Sequence, residues 1–182
     1  HEKIQVGLEV AKFMKNLNNS LDIEVASRLR KKYLPNFKSE YEYHPQMLSS
    51  GKKDKNPHYN LYKKYFDKLV RDFGGSLPEE NMLAHGDLHS GNLVFRENRL
   101  CGIIDFSDCG PSSIYGELRQ MYRLGDKIIS TIIEELNNEF GVIDIELVRL
   151  WAITHELSIM MRPGALTGEN SRALISKNLL ER

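Results

Sequence analysis

The sequence predicts a mainly α-helical fold with one small β-hairpin, an α+β class. Apolar residues recur at helical spacing over most of the 182 residues. Two short β-prone runs, residues 92–95 and 100–106, lie between the helical stretches with the polar turn RENR separating them. The chain is 41% hydrophobic and 27% charged, which is typical of a globular protein. We therefore expect one domain with a substantial core.

Three helices are expected before the hairpin. The first has an apolar stripe at helical spacing and ends in the polar stretch 16–20. This stripe comprises Val6, Val10, Phe13, Met14 and Leu17. The second covers residues 22–33 and stops before Pro35, because the residue preceding a proline is disfavoured in the helical region. The third covers residues 61–73 and is capped by two glycines at 74–75, since glycine accepts left-handed backbone.

Residues 35–57 lack helical periodicity and are expected to form an exposed loop. The segment is rich in Tyr, Ser and Pro and contains the lysine-rich run SSGKKDKNP at 49–57. A partner-binding patch is the alternative interpretation of this basic run.

The chain is expected to be helical again beyond Gly110-Pro111. Isoleucines at helical spacing predict a helix over 128–140 closed by Gly141, and a further helix begins near 145. A last, weaker helical pattern covers 169–180.

Composition argues against several classes of protein. The 25 basic side chains balance 25 acidic ones, so the overall positive charge of a nucleic-acid-binding protein is missing. The apolar runs are far shorter than the roughly 20 residues that span a bilayer, and no signal peptide is recognisable, which favours a cytoplasmic protein without membrane contact. Cys101 and Cys109 are too few for a disulfide framework or a four-ligand zinc site.

The densest polar chemistry is in LAHGDLHSGNLVF, residues 83–95. His85, Asp87, His89 and Asn92 fall within eight residues of one another, directly before the hairpin. This cluster could be a set of metal ligands, an acid/base device or a polar turn. A loop that enters a hairpin holds side chains in place while leaving them reachable, an arrangement common for catalytic groups.

A second carboxylate, Asp105, stands at the end of the hairpin in CGIIDF. Folding the hairpin back can bring it near the loop that contains Asp87 and Asn92. A carboxylate and an amide oxygen suit a hard cation such as magnesium, held chiefly by substrate phosphates. Asp87 would then remain to accept a proton, a division of roles that matches phosphoryl transfer.

The motifs resemble those of a known group of enzymes. The order H-x-D-x-x-x-x-N followed by I-D-F is similar to the catalytic and metal-binding loops of the protein-kinase-like superfamily. HGDLHSGNLVF and LCGIIDFSDCG resemble the aminoglycoside phosphotransferase and choline kinase family of small-molecule kinases in content, order and separation. The first helix, ending VAKFMKNLN, also resembles the helix that opens the C-terminal lobe in that family.

The resemblance implies roles for individual residues. Asp87 would be the catalytic base, and Asn92 and Asp105 would hold Mg²⁺ with ATP as co-substrate. His85 would brace the loop, and the resemblance leaves His89 between a substrate contact and packing. Asp108 is at least as well explained by loop capping as by catalysis.

The resemblance also implies the extent of the domain. Residues 1–182 would form a kinase-like C-terminal lobe, with a catalytic loop at 85–92 and a metal-binding hairpin at 92–106. The glycine-rich strands and strand lysine of the N-terminal, nucleotide-binding lobe are not in this sequence, so the fragment alone is expected to be inactive. The segment GPSSIYGELRQ departs from the family pattern, so that the family's supporting aspartate is either absent or replaced by Glu117.

Other functions stay open at this stage. The expected partners are ATP and a hydroxyl on a small molecule, such as an aminoglycoside, choline or a sugar. A non-catalytic kinase-like binding module, with the basic region 31–55 as its contact surface, is the main alternative. A metallophosphoesterase is the lesser one, because the upstream Asp-x-His that its metal centre needs is missing from this sequence.

Overall fold

A computed structural model of the protein describes residues 2–33, 40–97 and 99–162. The helix predicted at 169–180 lies outside these residues. Residues 35–39, the first part of the predicted loop at 35–57, also lie outside them. The chain divides into two compact units. The first comprises His1–Phe37 and Glu79–Val148, and the second comprises Lys38–Pro78 and Arg149–Arg182.

The first unit is built on a helix pair. Helix α1 (Glu2–Asn18) packs along α6 (Asp126–Phe140), and the two backbones approach closely at Gly7. A Cβ at Gly7 would lie only 2.8 Å from the Cβ of Thr131, so a larger residue would push the helices apart. The predicted stripe of α1 does face the core, with Val10 and Met14 almost fully buried. Helices α2 (Ile23–Tyr33) and α5 (Ile114–Leu118) also belong to this unit.

Two small antiparallel sheets position the polar loops of the first unit. Strands β2 (Leu93–Arg96) and β3 (Arg99–Ile103) form the predicted hairpin, although β3 ends at Ile103 and not at residue 106. Strands β1 (Met82–Ala84) and β4 (Gly110–Ser112) form a second sheet that was not predicted. A helical region was expected beyond Gly110-Pro111, and the short strand Gly110–Ser112 precedes it. Pro111 is tolerated there because both strands of a two-stranded sheet are edge strands.

The second unit corrects the prediction of a loop over residues 35–57. Helix α3 occupies Glu40–Lys53, and α4 follows at Tyr59–Asp72. Pro45 removes only one main-chain hydrogen bond of α3. Its neighbour His44 is fully buried, hydrogen-bonds to the Tyr62 hydroxyl and stacks on Phe66. Tertiary packing against α4 therefore outweighs the polar composition of this segment.

Helix α7 covers Ile145–Met160, and the division between the units falls within it, after Val148. Within the second unit, Trp151 of α7 packs edge to face on Phe73. Among the residues that the structure describes, no helix combines the length and the apolar character needed to cross a bilayer.

Candidate active site

The loop at 85–92 connects the two small sheets of the first unit. It leaves β1, whose three residues are all buried, and passes through a 3-10 turn at Ser90–Asn92 into β2. Both ends of the loop are therefore fixed by strand pairing. Side chains on such a loop are held on a rigid scaffold.

His85 ties the start of this loop to the end of the hairpin. The side chain is fully buried, and its Nε2 lies 2.9 Å from the main-chain oxygen of Ile104. Because a carbonyl can only accept, Nε2 carries the proton and Nδ1 is left to accept, at 3.4 Å, from the N–H of Asp87. The ring also contacts that of Phe106 at a centroid distance of 4.7 Å.

The Asp87 carboxylate has two oxygens in different surroundings. Oδ1 accepts a hydrogen bond from Nε2 of Gln120 at 2.7 Å. Oδ2 lies 3.5 Å from Nδ2 of Asn92 and 3.5 Å from Nε2 of His89. The side chain keeps 16% of its surface exposed, so one oxygen is tightly bound while the group stays accessible.

Asn92 is buried and closes the loop on itself. Its Nδ2 donates to the main-chain oxygen of Asp87 at 2.8 Å, and its main-chain oxygen accepts from the N–H of Ile104 at 3.0 Å. With Nδ2 engaged in this way, the amide oxygen of Asn92 is left without a hydrogen-bond partner among the described residues. Ile104 thus connects both ends of the loop. Its carbonyl accepts from Nε2 of His85, and its N–H donates to the main-chain oxygen of Asn92.

Asp105 follows Ile104 directly and adopts a left-handed backbone, with φ 64° and ψ 68°. It precedes a 3-10 turn at Phe106–Asp108. Its Oδ1 accepts from the hydroxyl of Ser107 at 2.8 Å, and the residue is exposed. This left-handed residue turns the chain out of β3 and presents the carboxylate at the end of the hairpin.

His89 and Asp108 both have contacts that support loops. Nδ1 of His89 accepts from the N–H of Gly91 at 2.9 Å and caps the 3-10 turn, which leaves the proton on Nε2. Asp108 has an exposed side chain, whereas its main-chain oxygen accepts from Nη2 of Arg30 at 2.7 Å. Both predicted positions therefore include a structural contact, and His89 also lies beside the candidate base.

Glu117 is the buried acceptor beneath the loop. Its Oε1 and Oε2 accept from the main-chain N–H groups of His85 and Gly86, each at 2.9 Å. Burial raises the pKa of this carboxyl, and the two N–H donors oppose that rise. Glu117 therefore contacts the start of the loop directly.

Gln120 was not singled out from the sequence, although its Nε2 hydrogen-bonds to the Asp87 carboxylate at 2.7 Å. Its position three residues after Glu117 was the available signal, because residues at that spacing share a face of a helical segment. Arg119 lies between them and donates Nη2 to the main-chain oxygen of Gly86 at 3.0 Å. The segment 117–120 thus holds the loop by three side chains.

The oxygen atoms near this loop fit a hard divalent cation. The Asn92 amide oxygen and the Asp105 carboxylate are the donor types that magnesium prefers when phosphates supply further ligands. Within the described ranges, no three His, Cys, Asp or Glu side chains are grouped so that they could hold a metal ion by themselves.

Comparisons with known proteins relate this arrangement to a family. Residues 48–151, a segment that contains Asp87, Asn92 and Asp105, match the model of the phosphotransferase enzyme family. A solved structure described as the GDP and kanamycin complex of APH(2")-IIia is similar in fold, with a TM-score of 0.65 and 19% sequence identity. The similarity covers 98% of this chain and 61% of that one. No curated protein sequence matches.

Proposed function

The chain belongs to the phosphotransferase enzyme family, and we propose that it carries the catalytic base and the metal ligands of a small-molecule kinase. The reaction would transfer the γ-phosphate of ATP to a hydroxyl group. The observation that carries this proposal is the geometry at Asn92, whose Nδ2 holds the main chain of Asp87 at 2.8 Å. The Asn92 side chain thereby holds the candidate base through its nitrogen, and its amide oxygen would bind a cation.

Asp87 would accept the proton of the acceptor hydroxyl. The oxygen of that hydroxyl forms a bond to the γ-phosphorus while the bond from phosphorus to the β-phosphate oxygen breaks, and the nucleoside diphosphate leaves. Because Oδ1 is bound to Gln120, Oδ2 is the oxygen that receives the proton. Direct transfer of this kind needs no phosphorylated side chain.

Asn92 and Asp105 would hold Mg²⁺ through their side-chain oxygens. When bound, the cation would neutralise charge on the nucleotide phosphates. Ser107 would orient the Asp105 carboxylate, since its hydroxyl donates to Oδ1 at 2.8 Å. The hydrogen bonds of Ile104 to the loop would keep both ligands at a fixed position relative to Asp87.

We further propose that residues 1–182 act as the C-terminal lobe of the kinase and work with a separate nucleotide-binding lobe. The similar structure is longer than this chain, which spans about three-fifths of its length. Part of the nucleotide site would then come from outside these residues. The fragment alone would bind nucleotide weakly and turn over slowly.

The acceptor is proposed to be an aminoglycoside, choline, a sugar or a similar small molecule. Kanamycin is the first compound to test, because the similar structure was solved with kanamycin. GDP in the same structure makes GTP a second phosphate donor to compare with ATP.

Nucleoside diphosphate release by the full-length protein tests this function. The assay contains Mg²⁺ with ATP or GTP, and it compares wild type with Asp87→Asn across aminoglycosides, choline, amino sugars and simple sugars. Release that depends on the acceptor and falls in the variant supports the kinase. The absence of both nucleotide binding and release would instead favour a non-catalytic module, and cleavage of phosphate esters without nucleotide would favour a phosphoesterase.

A further inference from the structure

The amide of Gln120 is fixed in one orientation. Its Oε1 lies 3.4 Å from Nη1 of Arg123, and a guanidinium only donates, so this atom is the oxygen. Nε2 then faces Oδ1 of Asp87 at 2.7 Å, which is within the range of a charge-assisted hydrogen bond. Gln120 is only 4% exposed, so water competes little for this contact.

We propose that Gln120 is a positioning residue that holds the Asp87 carboxylate by Oδ1 and reserves Oδ2 for the acceptor hydroxyl. This inference rests on the proposed function of Asp87. Gln120 itself touches neither the acceptor nor the nucleotide in this mechanism. It acts through the orientation of the carboxylate.

The physical reason is the softness of a carboxylate torsion. Rotation about the bond between Cβ and the carboxyl carbon of an aspartate has broad, roughly two-fold minima, so an unrestrained carboxylate samples many orientations. On the other side of the group, the donors of Asn92 and His89 lie at the longer distance of 3.5 Å from Oδ2, where a hydrogen bond is weak. The short bond from Gln120 therefore restrains the plane of the carboxylate.

Kinetics of the full-length protein provide the first test. Gln120→Met keeps the length of the side chain and removes the donor, so kcat should fall about 10- to 100-fold, as expected when a reacting group is misplaced by about 1 Å. The KM for the nucleotide should stay within about twofold. Gln5→Met is the matched control, because Gln5 donates to the Glu9 carboxylate at 3.0 Å on the exposed surface of α1.

Nuclear magnetic resonance provides a test that does not need turnover. This chain has three glutamines, Gln5, Gln46 and Gln120, so selective ¹⁵N labelling gives few side-chain amide signals to assign. The Asp87→Asn substitution should shift the Gln120 side-chain amide signals and leave those of Gln5 unchanged. Unmoved Gln120 signals would mean that the hydrogen bond is absent in solution and would overturn the inference.

The outcomes separate this inference from the proposed function. Wild-type protein that is inactive with every acceptor overturns the proposed function, and the positioning role with it. An active wild type whose kcat is unchanged by Gln120→Met overturns the positioning role alone. A variant that raises KM without lowering kcat would assign Gln120 to binding and would also contradict the inference.

Discussion

Gly86 lies directly against the main-chain carbonyl of Asp108. A Cβ on Gly86 would overlap the oxygen of that carbonyl and lie 2.9 Å from its carbon. Gly86 also has a φ of 83°, which favours glycine. The loop that precedes β2 and the turn that follows β3 therefore contact each other through main-chain atoms at this point. The Asp108 carbonyl cannot move aside as the end of a flexible side chain could.

Gly86→Ala should destabilise the protein by about 2–5 kcal/mol. Left-handed backbone costs a residue with a Cβ about 1–2 kcal/mol, and overpacking against the Asp108 peptide adds about 1–3 kcal/mol. Gly74→Ala is the matched control, because Gly74 has the same φ of 83° and no atom lies within 4 Å of the point that its Cβ would occupy. Urea unfolding of both variants separates the two contributions, and equal losses would show that the contact with Asp108 adds nothing.

Glu117→Gln should weaken the base of the loop. Both oxygens of a carboxyl group can accept whether or not it is protonated, whereas an amide offers one acceptor oxygen, so in the variant the N–H of either His85 or Gly86 loses its partner. An unpaired buried donor costs about 1–3 kcal/mol, and the free energy of unfolding should fall by that amount. Glu134→Gln, at an exposed position on α6, should change it by no more than about 0.5 kcal/mol.

The pH dependence of that loss has a defined sign. Burial raises the folded pKa of Glu117 above its ordinary value of 4.5, so the folded state binds this proton more tightly than the unfolded state. Its contribution to stability is thus full below pH 4.5 and is lost as the pH rises through the raised folded pKa. The deficit of Glu117→Gln relative to wild type should shrink over that rise, and a deficit that grows with pH would contradict the assigned direction.

The sequence predicted local features better than contacts between distant segments. The hairpin and the loops on either side of it could be predicted because their residues are close in the chain. The hydrogen bonds of Ile104 to His85 and Asn92 are consistent with the spacing of the two motifs. The bond from Gln120 to Asp87 joins positions 33 residues apart, and no periodic pattern encodes it. Strand β4 was missed for the same reason, because its pairing with β1 is non-local.

Helix α3 was missed for a different reason. Its interior contains Pro45, which favours a loop, and its last turn belongs to the polar run SSGKKDKNP, whose overall composition is typical of a loop when the segment is considered alone. The helix is stabilised by the burial of His44 against Tyr62, a contact with another helix. Composition describes the exposed face of such a helix, whereas the packed face decides whether it forms.

Substitutions in the turn after β3 should distinguish the Asp105 carboxylate from that of Asp108. If Asp105 holds Mg²⁺, Asp105→Asn should raise the Mg²⁺ concentration for half-maximal activity by at least about tenfold, since even residues that only support a metal ligand affect affinity by 10- to 100-fold. Asp108→Asn should have a smaller effect, because its main-chain oxygen, which accepts from Arg30 at 2.7 Å, is retained.

Mg²⁺ titration of acceptor-dependent diphosphate release measures this difference in the full-length protein. Asp126→Asn, at an exposed position in the first turn of α6, is the control for loss of one surface carboxylate and should leave the titration unchanged. An Asp105→Asn enzyme with a wild-type Mg²⁺ requirement would exclude this carboxylate as a ligand. The proposed metal site would then have only the amide oxygen of Asn92 as a protein ligand. Mg²⁺ sites of this kind use at least one carboxylate besides the substrate phosphates, so this result would contradict the proposed site.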